Sequence, residues 1–311
     1  MHMPWTPADM PTLHGHRAIV TGANGGIGYA TALELSKHGA EVTLAVRNLA
    51  KGQSAAERMR ASGAGELAVE ELDLANLASV RSFADRWSQS NPAGLDLLIN
   101  NAGVMAIPRR LTPDGFETQL ATNYLGHFAL TALLMPALLA QPQARIVNVT
   151  SNAHRFARSI NFDDLMGERR YRAWGAYGQS KLAQLLFTNE LQVRLDRMGS
   201  SAKSMAAHPG YAATGLYAAP LRLGHVPFAT KLLTQVGSVF GQSASMGALP
   251  SLYAATAPGL HGDSYIGPNG AGQWKGYPQL VDRAAAAMDT QAAMRLWSVS
   301  EALTGIQFPL D

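Results

Sequence analysis

The stretch IVTGANGGIGYATALEL, residues 19–35, passes from a β-branched run through a glycine-rich turn into a helical pattern. Gly22, Gly26 and Gly28 fall between the two. Glycines in that place let the backbone turn tightly and approach a pyrophosphate, whose charge meets the free N–H groups at the start of a helix. The spacing is GxxxGxG rather than GxGxxG. An ordinary Gly-rich βα turn carries the same letters. The strand-turn-helix context at the first βα unit favours a dinucleotide loop, with Gly22, Asn24, Gly26, Ile27 and Gly28 as its contacts.

Outward from this loop, short β-rich runs alternate with longer helical ones: RAIVTGA, EVTLAVR, ELAVEELDL, LDLLINNAG, RIVNVTS, AKSMAAHPG and, late in the chain, DSYIGPNG. Several are apolar throughout, as strands covered by helices on both faces must be. The expected fold is α/β: one doubly wound, Rossmann-type parallel sheet with helices on both faces. The whole chain, residues 1–311, reads as a single dinucleotide-binding and catalytic domain. A Gly-, Pro- and Leu-rich segment at about 211–247 is a candidate helical lid over the substrate, and a tail at about 278–311 reads as helical and amphipathic.

Composition excludes several classes. The formal charge is +3 with no Lys/Arg run, which argues against a nucleic-acid partner. Without cysteine there is no disulfide, thiolate nucleophile or Cys-ligated metal, which suits a cytoplasmic protein. No stretch is long and apolar enough for a transmembrane segment. Only 15% of residues are charged, which hints at apolar surface covered by another subunit or used for an apolar substrate. His38, His127, His154 and His208 lack metal-ligand spacing, so no metal is expected. Asp114 and Glu117 of DGFE read as a helix-start device rather than an acid-base pair.

The second strand ends in AVRN, with Val46 where an acid would meet the ribose hydroxyl of NAD, followed by Arg47. An arginine there suits the extra phosphate of NADP, so NADP(H) is the preferred cofactor, with NAD(H) admissible. The plain alternative for Arg47 is a solvated surface arginine. Asp73, with Leu74 beside it, is placed to meet the adenine amine or simply to cap a turn. In NNAG, Asn100 and Asn101 read as ties between strands, while Ala102 and Gly103 allow the cofactor close approach; Asn100 is counted as a cofactor neighbour.

In YGQSKLAQLLF, residues 177–187, Tyr177 and Lys181 share one helix face. A phenol beside an ammonium ionises more readily, so the pair can pass a proton to or from an alcohol oxygen. Ser151, at the end of the fifth strand, can donate to a carbonyl oxygen. Singly, these residues have bland readings as a surface tyrosine, a snorkelling lysine and a strand-end cap.

TGANGGIG, NNAG, RIVNVTS and YGQSK, in this order, resemble the short-chain dehydrogenase/reductase family over about residues 15–275. Within it, LDLLINNAGVM, DGFETQLATNYLGHFAL and AYGQSKLAQLLF look most like the retinol-dehydrogenase and carbonyl-reductase branch. The resemblance implies an oxidoreductase interconverting an alcohol with a ketone or aldehyde. It makes Asn123, Ser151, Tyr177 and Lys181 the catalytic set, with Asn123 holding a water that links Lys181 to solvent. Lys181 would also reach the nicotinamide ribose, beside Tyr177. Pro209 and Gly210 match the family's Pro-Gly motif next to the nicotinamide, and Thr214 matches a threonine that touches the cofactor. The implied substrate is a small apolar carbonyl or alcohol of retinol-, steroid- or lipid-like kind, and the implied assembly a homodimer or homotetramer. The rival reading is a dinucleotide-binding redox sensor or scaffold without turnover.

Overall fold

The computed structural model describes residues 4–211 and 242–310. The seven apolar runs become β1 (Arg17–Thr21), β2 (Glu41–Val46), β3 (Leu67–Glu71), β4 (Leu97–Asn100), β5 (Arg145–Val149), β6 (Lys203–Ala207) and β7 (Tyr265–Pro268). They pair parallel, and a short eighth strand, β8 (Pro278–Leu280), runs antiparallel beside β7. The resulting order is β3-β2-β1-β4-β5-β6-β7-β8. Because β1 is flanked by β2 and β4, the chain reverses its direction of travel across the sheet there. That reversal opens a crevice at the strands' carboxyl ends, where such sheets bind ligands.

Helices cover both faces: α1 (Gly26–Lys37), α2 (Leu49–Ala61), α3 (Leu77–Ser90), α4 (Gly126–Leu139), α5 (Ala173–Arg197), α6 (Ala244–Thr256) and α7 (Thr290–Thr304). Successive strand residues serve opposite layers. Ile19, Leu98 and Ile146 join Phe83, Phe128 and Leu185 in one core. Val20, Ile99 and Val147 join Leu35, Met59 and Leu252 in the other. Burial on both sides is the reason these strands are apolar throughout.

Local signals set the helix starts. Asn48 caps α2 by accepting from the Lys51 N–H at 2.9 Å, and Asn76 caps α3. Asp114 accepts from the Leu77 N–H at 2.9 Å, and Glu117 accepts from Gln119 and Leu120, so the DGFE acids serve two helix starts. Ahead of α4 the backbone makes a wide π turn over Ala121–Leu125, closed by the Gly126 N–H on the Ala121 carbonyl.

Two expectations about the C-terminal third change. Residues 212–241 lie outside the described residues, and most of the expected lid with them; residues 244–247 are the first turn of α6, capped by Ser243 at 3.2 Å from the Met246 N–H. The tail is not helical from residue 278: it begins as β8, and only Thr290–Thr304 forms an α-helix. A three-residue strand opening on proline has no readable alternation, and its pairing is decided by the exposed edge of β7. No helix among the described residues is long and apolar enough to cross a membrane.

α7 and the last residues close one core. The Trp297 ring packs 4.4 Å from Phe308, 5.4 Å from Phe128 and 5.9 Å from Phe187, with the Arg194 guanidinium 4.2 Å over its face. Trp297→Ala is therefore expected to lower stability by about 3–5 kcal/mol, read as a lower urea midpoint at unchanged slope.

Candidate active site

Two cavities meet at the carboxyl edge of the sheet. A groove of about 450 Å³ runs over the β1 and β4 ends, and an apolar cavity of about 730 Å³ lies beyond β5 and β6. Tyr177, Ile27, Thr150 and Pro209 border both.

The groove's floor is the loop before α1. Gly22 has a φ of 68°, which favours glycine. At Gly28 a Cβ would lie 2.6 Å from the Gly22 carbonyl oxygen and would collide with Asn101 Nδ2, so only glycine lets α1 close onto β1 and β4. Gly22, Asn24, Gly26, Ile27 and Gly28 all border the groove, as do Ala102 and Gly103 from the β4 end. Asn101 pins these two strand ends, donating from Nδ2 to the Thr21 carbonyl at 2.8 Å, while the Asn101 and Ala102 N–H groups both donate to Thr21 Oγ1 at 2.9 Å.

Asn100 is a correction. It is fully buried and lies behind the groove rather than on its wall; its amide donates to Thr131 Oγ1 at 3.0 Å and Asn148 Oδ1 at 2.9 Å. Side chains alternate along a strand, so Asn101, one residue on, is the one that borders the groove.

At the groove's far end Val46 is buried and Arg47 exposed, beside Asn48 and Lys51 of the α2 start. Asn48 and Lys51 were missed in the sequence, although RNLAKG contains them; a loop that enters a helix within a few residues places both beside Arg47. Asp73 and Leu74 border the same end, and Asp73 Oδ1 also accepts from the Ala75 N–H at 3.0 Å as a turn cap.

At the junction of the cavities Tyr177 and Ser151 border the same space, and the Ser151 hydroxyl, which accepts from the Ala153 N–H at 3.1 Å, favours the Tyr177 phenolate. Lys181 is buried; its Nζ donates to the Val149 carbonyl and to Gln184 Oε1, both at 2.9 Å, and lies 5.7 Å from the Tyr177 ring centre. Burial pushes the Lys181 ammonium down to about 7. Burial also pushes Tyr177 up to about 12, against the opposing pull of Ser151. Among the protein's own groups, then, the expected lowering of Tyr177 by Lys181 is outweighed: desolvation of the phenolate dominates, and Lys181 spends its donors on Val149 and Gln184.

Asn123 is buried in the π turn. Its Oδ1 accepts from the Val104 N–H at 2.8 Å, and its amide donates to the Val104 carbonyl at 3.0 Å and Ser180 Oγ at 2.8 Å. The Asn123 carbonyl lies 3.0 Å from His127 Nδ1. These bonds make it a clamp between the β4 loop and α5.

Pro209 and Gly210, the latter at φ 65°, turn the chain out of β6 beside the apolar cavity; Thr214 lies outside the described residues. Phe156 and Trp174 line one side of that cavity, while Tyr211 and Trp274, stacked at 5.5 Å, line another.

The family model described as short chain dehydrogenase matches residues 16–220. The chain belongs to the short-chain dehydrogenase family. It is 41% identical to retinol dehydrogenase 13 of Homo sapiens over 96% of this chain and 87% of that one. Its identity to retinol dehydrogenase 14 of Homo sapiens is 39%, over 96% and 89%. A crystal structure of a protein from Mycobacterium paratuberculosis superposes with a TM-score of 0.81 at 45% identity, covering 99% of this chain and all of that one. These relatives place it in the retinol-dehydrogenase-like branch, among dinucleotide-dependent oxidoreductases that act on CH–OH groups.

In this oxidoreductase the buried Lys181 makes stability depend on pH. Its folded pKa, about 7, lies below the ordinary 10.5, so between those values the unfolded chain binds more protons and stability rises with pH. Urea denaturation at pH values across that interval is expected to show the rise, and the slope should be smaller in Lys181→Met, where this group no longer titrates.

Proposed function

We propose that this chain is an NADP(H)-dependent oxidoreductase that interconverts an apolar alcohol with its ketone or aldehyde. The observation that carries the reading is the position of Tyr177, which among the described residues is the one phenol bordering both the dinucleotide groove and the apolar cavity. A group placed there meets a substrate oxygen from one side while the cofactor lies along the other.

The glycine loop fits a dinucleotide: Gly22, Gly26, Gly28 and Gly103 border the groove without a side chain, and at Gly28 and Gly103 a Cβ would press on Gly22, Asn101 or Asn123 and disturb that wall. Gly22, Asn24, Gly26, Ile27 and Gly28 would hold the pyrophosphate, with Ala102, Gly103, Pro209, Gly210 and Thr214 along the remainder. The nicotinamide supplies the hydride when bound. Arg47 and Lys51 set two cations at the groove's far end, where a ribose phosphate would sit, and among the described residues Asp73 is the one carboxylate on the wall.

Tyr177 delivers the proton to the developing alkoxide. With burial holding the phenol up to about 12, it is protonated and ready as an acid at neutral pH. Ser151, on the same cavity wall as the phenol, donates to the same oxygen and fixes the carbonyl's angle. Lys181, near neutrality, would restore the proton, and in its ammonium form the third hydrogen, beyond those given to Val149 and Gln184, would reach the nicotinamide ribose. Asn123 positions both, through Val104 on one side and Ser180, next to Lys181, on the other. Aromatic side chains on the cavity wall support an apolar, ring-bearing substrate. The low charged fraction, 15%, supports a homodimer or homotetramer, and the absence of cysteine supports a cytoplasmic setting.

Two substitutions test this reading. Tyr177→Phe is expected to keep NADPH affinity while carbonyl reduction, followed at the NADPH absorbance band, falls by about 10²–10⁴-fold; near-normal turnover would remove the mechanism. Arg47→Leu is expected to weaken NADPH by about tenfold, measured by calorimetry, with NADH affinity nearly unchanged.

A further inference from the structure

Behind the apolar cavity, at the turn after β7, lies a polar pair that the reaction above does not use. His208 is fully buried at the end of β6, and its Nε2 lies 3.0 Å from Gln273 Oε1. The Gly210 N–H donates to His208 Nδ1 at 3.2 Å, which assigns the ring hydrogen to Nε2 and makes Gln273 Oε1 the acceptor. Burial pushes His208 down to about 3, so the neutral ring and its tautomer persist through the physiological range. The imidazole is held on its other sides as well. The Tyr265 ring packs 5.3 Å away, and a Cβ at Gly267 would collide with Nε2, so β7 carries no side chain where the ring sits.

This bond fixes which end of the Gln273 amide faces where. With Oε1 committed to His208, Nε2 points away from it, and Nε2 has no hydrogen-bond partner among the described residues. Gln273 borders the same cavity as Ser151 and Tyr177. Its backbone is also unusual: Gln273 has a φ of 58° and follows Gly272 at 62°. A glutamine in the left-handed region is strained and persists only where its surroundings hold it. Here the Gln273 N–H donates to the Gly270 carbonyl at 2.8 Å, and Asn152, beside Ser151, donates to the Gly272 carbonyl at 3.3 Å.

Resting on the reading of this cavity as the substrate site, we propose that Gln273 is a specificity-determining residue: its amide nitrogen, oriented by His208, donates a hydrogen bond to a second acceptor atom on the substrate, distinct from the reacting oxygen. The preferred substrates are thus apolar ring-bearing carbonyls with one further oxygen or nitrogen acceptor. Hydrocarbon ketones bind without that bond, and the unmet donor selects against them.

The test uses the full chain saturated with NADP, which binds ketones without reducing them, and calorimetric titration in mildly alkaline buffer. The probes are acetylnaphthalene and the acetylquinoline isomers, in which a ring nitrogen replaces one CH at each position in turn. The nitrogen's effect on the ketone itself cancels when each wild-type preference is divided by that of Gln273→Leu. At least one isomer should bind wild type about five- to tenfold better by this ratio. Gln273→Glu, which still accepts from His208 but offers no donor, should lose the preference and favour hydroxyl-bearing acetylnaphthalenes instead. A ratio within about twofold for every isomer, or a preference kept by Gln273→Glu, would overturn the proposal. NADPH oxidation with the same ketones is scored separately: binding preference without turnover would leave Gln273's role standing and remove the enzymatic reading.

Discussion

Two hydrogen bonds fasten α5 to the end of β5, and the site depends on them. Lys181 Nζ donates to the Val149 carbonyl and Thr150 Oγ1 donates to the Lys181 carbonyl, each at 2.9 Å. A buried ammonium is costly unless its donors are satisfied. Meeting that cost ties the helix to the last residues of the strand, so Ser151 and Tyr177, from different elements, end on the wall of one cavity. Asn123 completes the frame by bonding Val104 and Ser180. The arrangement of Asn123, Ser151, Tyr177 and Lys181 is thus held by rigid elements, with loops supplying the walls.

The same frame separates two environments. On the β1 and β4 side the wall is glycine, exposed backbone and the cations Arg47 and Lys51, which suits phosphates. On the β5 and β6 side it carries the aromatic side chains Phe156, Trp174 and Trp274 beside Met105 and Ala153. Tyr177 at the boundary is buried enough for its phenolate to be disfavoured, yet open to both spaces. Buried histidines stiffen the second wall: His154 lies 2.8 Å by Nδ1 from the Ser151 carbonyl and accepts from the Ala284 N–H at 3.1 Å, joining the catalytic strand end to the C-terminal segment.

Much of this was legible in the sequence because the signals are local. A glycine loop after a strand, Tyr177 and Lys181 on one helix face, and Asp114 and Glu117 at helix starts each depend on neighbours a few residues away. Asn100 was placed wrongly for an equally local reason: which of two adjacent asparagines faces the groove turns on the pleat, and the letters NNAG do not show its phase. β8 was missed because three residues beginning with proline have no pattern of their own.

The sequence by itself determined the layered α/β architecture, the glycine turn between β1 and α1 and the helix face shared by Tyr177 and Lys181, because periodicity and turn chemistry are properties of short segments. Tertiary structure decided what depends on burial and on contacts between distant residues. It raised Tyr177 and lowered Lys181, since desolvation is set by the whole core. It brought His208 to Gln273, 65 positions further along the chain, across the edge of the sheet. Long-range contacts of that kind carry no sequence period, so only the folded chain reveals which amide end meets the cavity.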